Sequence, residues 1–167
     1  MNNLTADQQA MLAIWQQHTY AEFVLKDADA ALATMTENPY LLMIATGTAC
    51  TGRAAVREYY ADHFMPAIPP DLELTSLSQT IGSDRFVEEM VVRFTHTIEM
   101  DWLLPTLRPT GRRAEFIVAA VIGFENGKVA HEHIYWDQAT LLSQMGVLDH
   151  PLAAAGTGSV RQLSRLR

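Results

Sequence analysis

The sequence has one cysteine, no apolar run long enough to span a bilayer and few basic residues, and each shortage removes a class of protein. Cys50 cannot form an internal disulfide and has no second cysteine at metal-ligand spacing, so it reads as a small hydrophobe. With 12 Lys and Arg against 19 Asp and Glu, a net charge of −7 and a pI near 5.2, no surface suits a phosphate backbone, and nucleic acid is not expected as a partner. The one basic run is the tail from Arg161 to Arg167. The opening stretch has no positive region followed by an apolar one, so no membrane partner is expected and the location is expected to be cytoplasmic. A Gly-rich phosphate loop, a Gly-x-Ser-x-Gly elbow and a Cys/His nucleophile pattern are also missing, so no cofactor is expected.

What is present is material for a core. At 167 residues, 49% hydrophobic and 19% charged, the chain suits one packed domain, placed at residues 1–149, with a tail at 150–167 whose Ala153 to Ser159 stretch reads as a flexible link. Thr5 caps a long amphipathic helix carrying Met11, Leu12, Ile14, Trp15 and Phe23. Asp27 starts a second, running through Met35 and ended by Asn38-Pro39. A short strand, Tyr40 to Ala45, precedes a third helix, Ala54 to Phe64. Four long strands follow: Leu72 to Ile81, Arg85 to Trp102, Arg112 to Phe124 and Val129 to Asp137, the last pair joined by the tight-turn signal Asn126-Gly127. The pattern predicts an α+β fold with an antiparallel meander, closed by a helix from Gln138 to Met145 that stops at Gly146.

Strand alternation then sorts the faces. On the last strand Ala130, Glu132, Ile134 and Trp136 share the apolar face, and His131, His133 and Tyr135 the other. On the second long strand Glu88 and His96 share a face with Phe94 and Trp102, and on the third Ala120 sits among Phe116, Val118 and Ile122. Glu132 and His96 are therefore polar groups on apolar faces, which makes them either an acid/base pair or a structural core pair. His18 and Glu22, four apart on the first helix beside Trp15 and Tyr20, either roof a pocket mouth or form a solvated pair. His131 and His133 invite a metal, but they need a further ligand, and an interface role is favoured over any metal site.

Three stretches carry a family likeness: Gly52-Arg53-Ala54-Ala55-Val56-Arg57-Glu58-Tyr59-Tyr60, the turn Pro109-Thr110-Gly111-Arg112, and the run from Phe124-Glu125-Asn126-Gly127 through Tyr135-Trp136-Asp137 to Gly146. In that order they resemble the nuclear transport factor 2-like superfamily, in its SnoaL-like branch of polyketide cyclases and ketosteroid isomerase relatives. The resemblance implies a cone-shaped, strongly curved sheet of about four long strands plus a short one, packed by three N-terminal helices around a pocket, and a homodimer through the outer face of the sheet. It also implies three acidic pocket positions, which fall near Met43, Ala120 and Ile134; all three are apolar here. The reading that results is a pocket for a small hydrophobic molecule, an isomerase, cyclase or dehydratase working by acid–base chemistry through Glu132 and His96. Trp136, Ile134, Trp102, Phe94, Met43, Ala120, Trp15, Tyr20, His18 and Tyr60 would line it. The alternative is a non-catalytic ligand-binding or dimerisation module of the same fold.

Overall fold

The computed structural model describes residues 4–148 and 157–165. Thr5 and Gln8 form a reciprocal capping box, each side chain bonded to the other's backbone amide, and start α1 (Ala6–Tyr20). α1 does not stop at Tyr20 but widens into a π-helical turn, Ala21–Leu25, closed by Lys26 in the left-handed region at φ 52°. Asp27 then accepts from the amides of Asp29 and Ala30 and caps α2 (Ala28–Ala33).

Here the structure departs from the sequence pattern. The second helix ends at Ala33, and residues expected to finish it belong to β1 (Met35–Met43). Strand pairing claims them: Val129 donates to the Thr34 carbonyl and Met35 pairs with Val129, while Pro39, which has no amide to donate, falls where the ladder shifts register before Tyr40. A second short strand, β2 (Thr48–Thr51), pairs with β1, and α3 (Arg53–Glu58) follows. Arg53 donates to the carbonyls of Leu32 and Thr36, both at 3.1 Å, tying α3 to the α2–β1 junction. Like α1, α3 runs on as a π-helical segment, Tyr59–Phe64.

The remaining strands are β3 (Glu73–Ile81), β4 (Arg85–Thr95), β5 (Arg113–Glu125) and β6 (Lys128–Trp136), followed by α4 (Gln138–Met145) and α5 (Gly158–Arg165). The order across the curved, unclosed six-stranded sheet is β2-β1-β6-β5-β4-β3, antiparallel throughout except where β1 runs parallel to β6. Asn126 and Gly127 make the two-residue β5–β6 turn with φ of 51° and 72°. Asp137 caps α4 and Gly146 closes it at φ 72°. The expected flexible link falls largely on residues 149–156, outside the described residues; of the basic tail, Gly158–Arg165 is helical and its Val160 is buried. Among the described residues no helix is long and apolar enough to cross a membrane.

β4 is shorter than expected, ending at Thr95 rather than at Trp102. Its neighbour turns away: His96 still exchanges bonds with Arg112 and Gly111, but Gly111 sits at φ 67° and leads the partner chain off the ladder. Without a partner the alternating residues 97–102 turn instead, and the amides of Leu103 and Leu104 bond back to Met100. This brings Met100, Leu103 and Leu104 into an apolar cluster with Phe94, Phe116, Leu141 and Met145. That cluster fills one end of the sheet. The other end, under α1 to α3, is hollow.

Candidate functional site

The hollow is a cavity of about 350 Å³. Three neighbouring strands give its floor in rows: Met43 beside Ile134 beside Ala120, and next to that row Leu41 beside Glu132 beside Ile122. Trp15, Phe23, Tyr60, Phe64, Trp102 and Trp136 enclose it further. The three positions where family resemblance predicts acids thus do face the cavity, as apolar wall.

Of the residues expected to line it, Trp136, Ile134, Trp102, Met43, Ala120, Trp15 and Tyr60 do so. Three do not. Phe94 is buried in the filled end, edge-on to Phe116. Tyr20 is 53% exposed, because two residues on from His18 a helical side chain points away from it. His18 lies behind the wall, fully buried, with its ring stacked on Trp15 at 5.4 Å.

The expected partnership of Glu132 with His96 is not formed. Glu132, 4% exposed on β6, accepts the Tyr60 hydroxyl at 2.7 Å and stands 3.1 Å from His18 Nε2, all through its Oε1. His18 Nε2 is also 3.1 Å from the Tyr60 oxygen and 3.5 Å from Glu22 Oε1. His96 is equally buried but sits at the end of β4, where the Thr110 amide donates to its Nδ1 at 3.3 Å and its Nε2 has no partner. His96 keeps the inward parity of Phe94, but with β4 ending at Thr95 it stands outside the cavity. The signal that could have found the actual partner was in α1, where His18 and Glu22 are one turn apart. They are not a solvated pair: Glu22 is 4% exposed and lines the cavity with Glu132.

Local folding sets this convergence. Glu22 and Tyr60 both belong to the π-helical segments that extend α1 and α3, a conformation that is rare and recurs at functional sites. A hydrogen-bond chain fixes the histidine: Thr34 donates its only hydroxyl proton to the Ala31 carbonyl at 2.6 Å, so it can only accept from His18, whose Nδ1 lies 2.6 Å away. Nδ1 therefore carries a proton, and Nε2 is the nitrogen that faces the acids.

Charge follows from that geometry. Burial opposes an imidazolium, but Glu22 and Glu132 beside it outweigh burial and raise the His18 pKa to about 10. One cation cannot balance two buried carboxylates. Burial pushes the Glu22 carboxyl up, against the pull of His18 and with Glu132 adding to the rise. The Tyr60 hydroxyl is held well above its ordinary range by burial and both acids, so it stays a donor. The cluster is a buried acid–base array, one histidine against two acids, at the wall of an apolar cavity. His18, Glu22 and Glu132 also present ligand atoms within 4.8 Å of one another, the one such group among the described residues that could hold a metal ion.

A six-stranded curved sheet hollow at one end, with acids reaching the hollow from a strand and from the first helix, defines a nuclear transport factor 2-like fold. The chain belongs to the SnoaL-like polyketide cyclase family, whose model matches residues 9–145. Among solved structures it is similar to a SnoaL-like polyketide cyclase, described as putative, from Jannaschia sp. CCS1 (14% identity, 90% of this chain and 100% of that one, TM-score 0.71). It is also similar to AclR, described as a putative hydroxylase, from Streptomyces galilaeus (18%, 95% and 95%, 0.63). A third similar structure is a hypothetical protein with a ketosteroid isomerase-like fold from Catenulispora acidiphila DSM 44928, solved in complex with trimethylamine (14%, 83% and 97%, 0.62). At these identities the likeness is one of fold. No curated protein matches the sequence.

Proposed function

We propose that the protein is an acid–base enzyme of the isomerase, cyclase or dehydratase kind, acting on a small apolar compound that carries a carbonyl. The observation that carries this reading is the placement of Glu132: a buried carboxyl at the wall of an apolar cavity, with one oxygen held by the Tyr60 hydroxyl and His18 Nε2. With Oε1 so held, Oε2 takes a proton from the carbon next to the substrate carbonyl, and the electron pair passes into the enolate. Returning that proton to a different carbon is isomerisation. Returning it to a departing hydroxide is dehydration, and attack of the enolate carbon on a second carbonyl, whose oxygen takes the proton, is cyclisation. Glu22, whose carboxyl is pushed up by burial and by Glu132 against the pull of His18, is the second acid of the array.

A test needs no knowledge of the natural substrate. Ketones such as 1-tetralone, incubated with the protein in D2O, should exchange hydrogen next to the carbonyl faster than in buffer, and Glu132→Gln should cut that acceleration by about 10²-fold or more with an unchanged circular dichroism spectrum. Binding of the ketone without faster exchange would instead make the chain a ligand-binding module.

The outer face of the sheet supports a second copy as partner. Tyr40 stacks on His131 at 4.9 Å, His131 and His133 are 4.7 Å apart, and Tyr135 is half-exposed beside them. Gly123, paired with His131, makes room for this stack, because a Cβ there would run into the imidazole. Sedimentation should give a dimer that Tyr135→Glu weakens.

A further inference from the structure

The cavity has a second polar feature, remote from the acid cluster. Glu88 of β4 lines it, as does Gln79 of the edge strand β3, and Gln79 Nε2 donates to Glu88 Oε1 at 2.8 Å. Glu88 stands in the row Met43, Ile134, Ala120, Glu88, Gln79, one row along from Glu132 and on the same face of the sheet. Two strand spacings and two residues of rise separate their Cα atoms, which makes about 12 Å along the floor. Between them the floor is apolar: Ile134 and Ala120. Unlike Glu132, Glu88 is only half-buried and has no histidine or tyrosine on it, so it has no proton relay; a carboxylate with one oxygen steadied by an amide is an acceptor waiting for a donor.

We infer that the ligand is elongated and two-ended, its carbonyl at Glu132 and a hydroxyl at its far end donating to Glu88. This rests on the proposed acid–base reading and adds to it a second recognition point, a hydroxyl read by Glu88 across the apolar floor from the acid cluster. Glu88 is half-buried and Gln79 exposed, so this end of the ligand reaches the cavity mouth, where a neutral hydroxyl keeps part of its hydration. Glu88 is a binding residue in this account, with no part in moving the proton.

The matched probes are 6-hydroxy-1-tetralone and 1-tetralone, which differ by one hydroxyl opposite the carbonyl. The wild-type protein should bind the hydroxylated ketone about tenfold more tightly, the scale of one hydrogen bond to a charged acceptor. Glu88→Leu should abolish that preference, leaving 1-tetralone affinity the same or higher, and Glu88→Gln should reduce it to a fewfold. Glu132→Gln, by contrast, should lose exchange next to the carbonyl and keep the preference, which separates the two acids. The inference is overturned, with the acid–base reading intact, if the two ketones bind equally or if the preference survives Glu88→Leu. It is equally overturned if the preference is lost in Glu132→Gln instead, since the hydroxyl would then sit at the acid cluster. Failure of both ketones to bind would sink the ligand cavity itself.

Discussion

The two ends of the sheet each bury a histidine completely, and the two rings are in opposite states. At the hollow end His18 donates from Nδ1 to Thr34 and turns Nε2 toward two acids, which raise its pKa to about 10. At the filled end His96 accepts on Nδ1 from the Thr110 amide, so its proton is on Nε2, and with no acid against it burial pulls its pKa down. Burial is common to both; what differs is the company. A buried histidine is thus no guide to a site until its hydrogen-bond partners fix which nitrogen is protonated and what faces the other one.

The largest test of that contrast is stability. His18→Leu leaves two buried acids without their cation and should destabilise the protein by about 3–5 kcal/mol at neutral pH. His96→Leu removes an unpartnered N–H from an apolar cluster and should shift stability by about 1 kcal/mol or less. Urea unfolding of both variants decides the matter, and equal losses would break the comparison. The pH dependence should have opposite signs at the two ends. A histidine with a raised folded pKa stabilises fully below its unfolded pKa of about 6.5, and that contribution disappears as pH rises from there through about 10. His96, with a lowered folded pKa, contributes fully above about 6.5 and loses it as pH falls below that value. The midpoint of urea unfolding across pH 5 to 10 should therefore fall on both limbs; His96→Leu should flatten the acid limb, and His18→Leu, which removes the cation that pulls the Glu22 carboxyl down, should start the alkaline fall at lower pH.

A smaller effect is expected from Thr34→Val, about 1–3 kcal/mol, since two buried hydrogen bonds, one from His18 Nδ1 and one to the Ala31 carbonyl, are lost while the ion pairs remain. Nitrogen-15 NMR of the imidazole sharpens the point: with the Thr34 acceptor gone, the proton on His18 Nδ1 should exchange faster. The smallest change should come from Asp29→Asn. It breaks a bidentate but exposed pair with Arg57 and should leave the urea midpoint nearly unchanged, showing that ion pairs matter here only where water is shut out.

Much of the fold could be read in advance because its signals are local. Thr5, Asp27, Asp137, Gly146 and Asn126-Gly127 each act within a few residues of themselves, and alternation along β6 put Glu132 inward. The misreadings share a cause. Residues 96–102 alternate as well as any strand, yet a strand also needs a neighbour, and the turn at Gly111 takes that neighbour away. Residues 35–38 follow a helix and precede a proline, yet β6 offers them a ladder. At the site, the four-residue spacing of His18 and Glu22 was visible, but nothing in the sequence says that two helices widen into π turns and bring Glu22 and Tyr60 against a strand more than seventy residues beyond Tyr60.

The parallel pairing of β1 with β6 also sets an order of events during synthesis. A ribosome adding about 5–20 residues per second makes α1, with His18 and Glu22, several seconds before Glu132 and the strand that carries it. Until β6 emerges, β1 has only β2 beside it and the histidine has one acid in place of two. The acid cluster is consequently among the last parts to assemble, and a chain halted before residue 128 lacks both the strand that joins β1 to β5 and the carboxylate that completes the site.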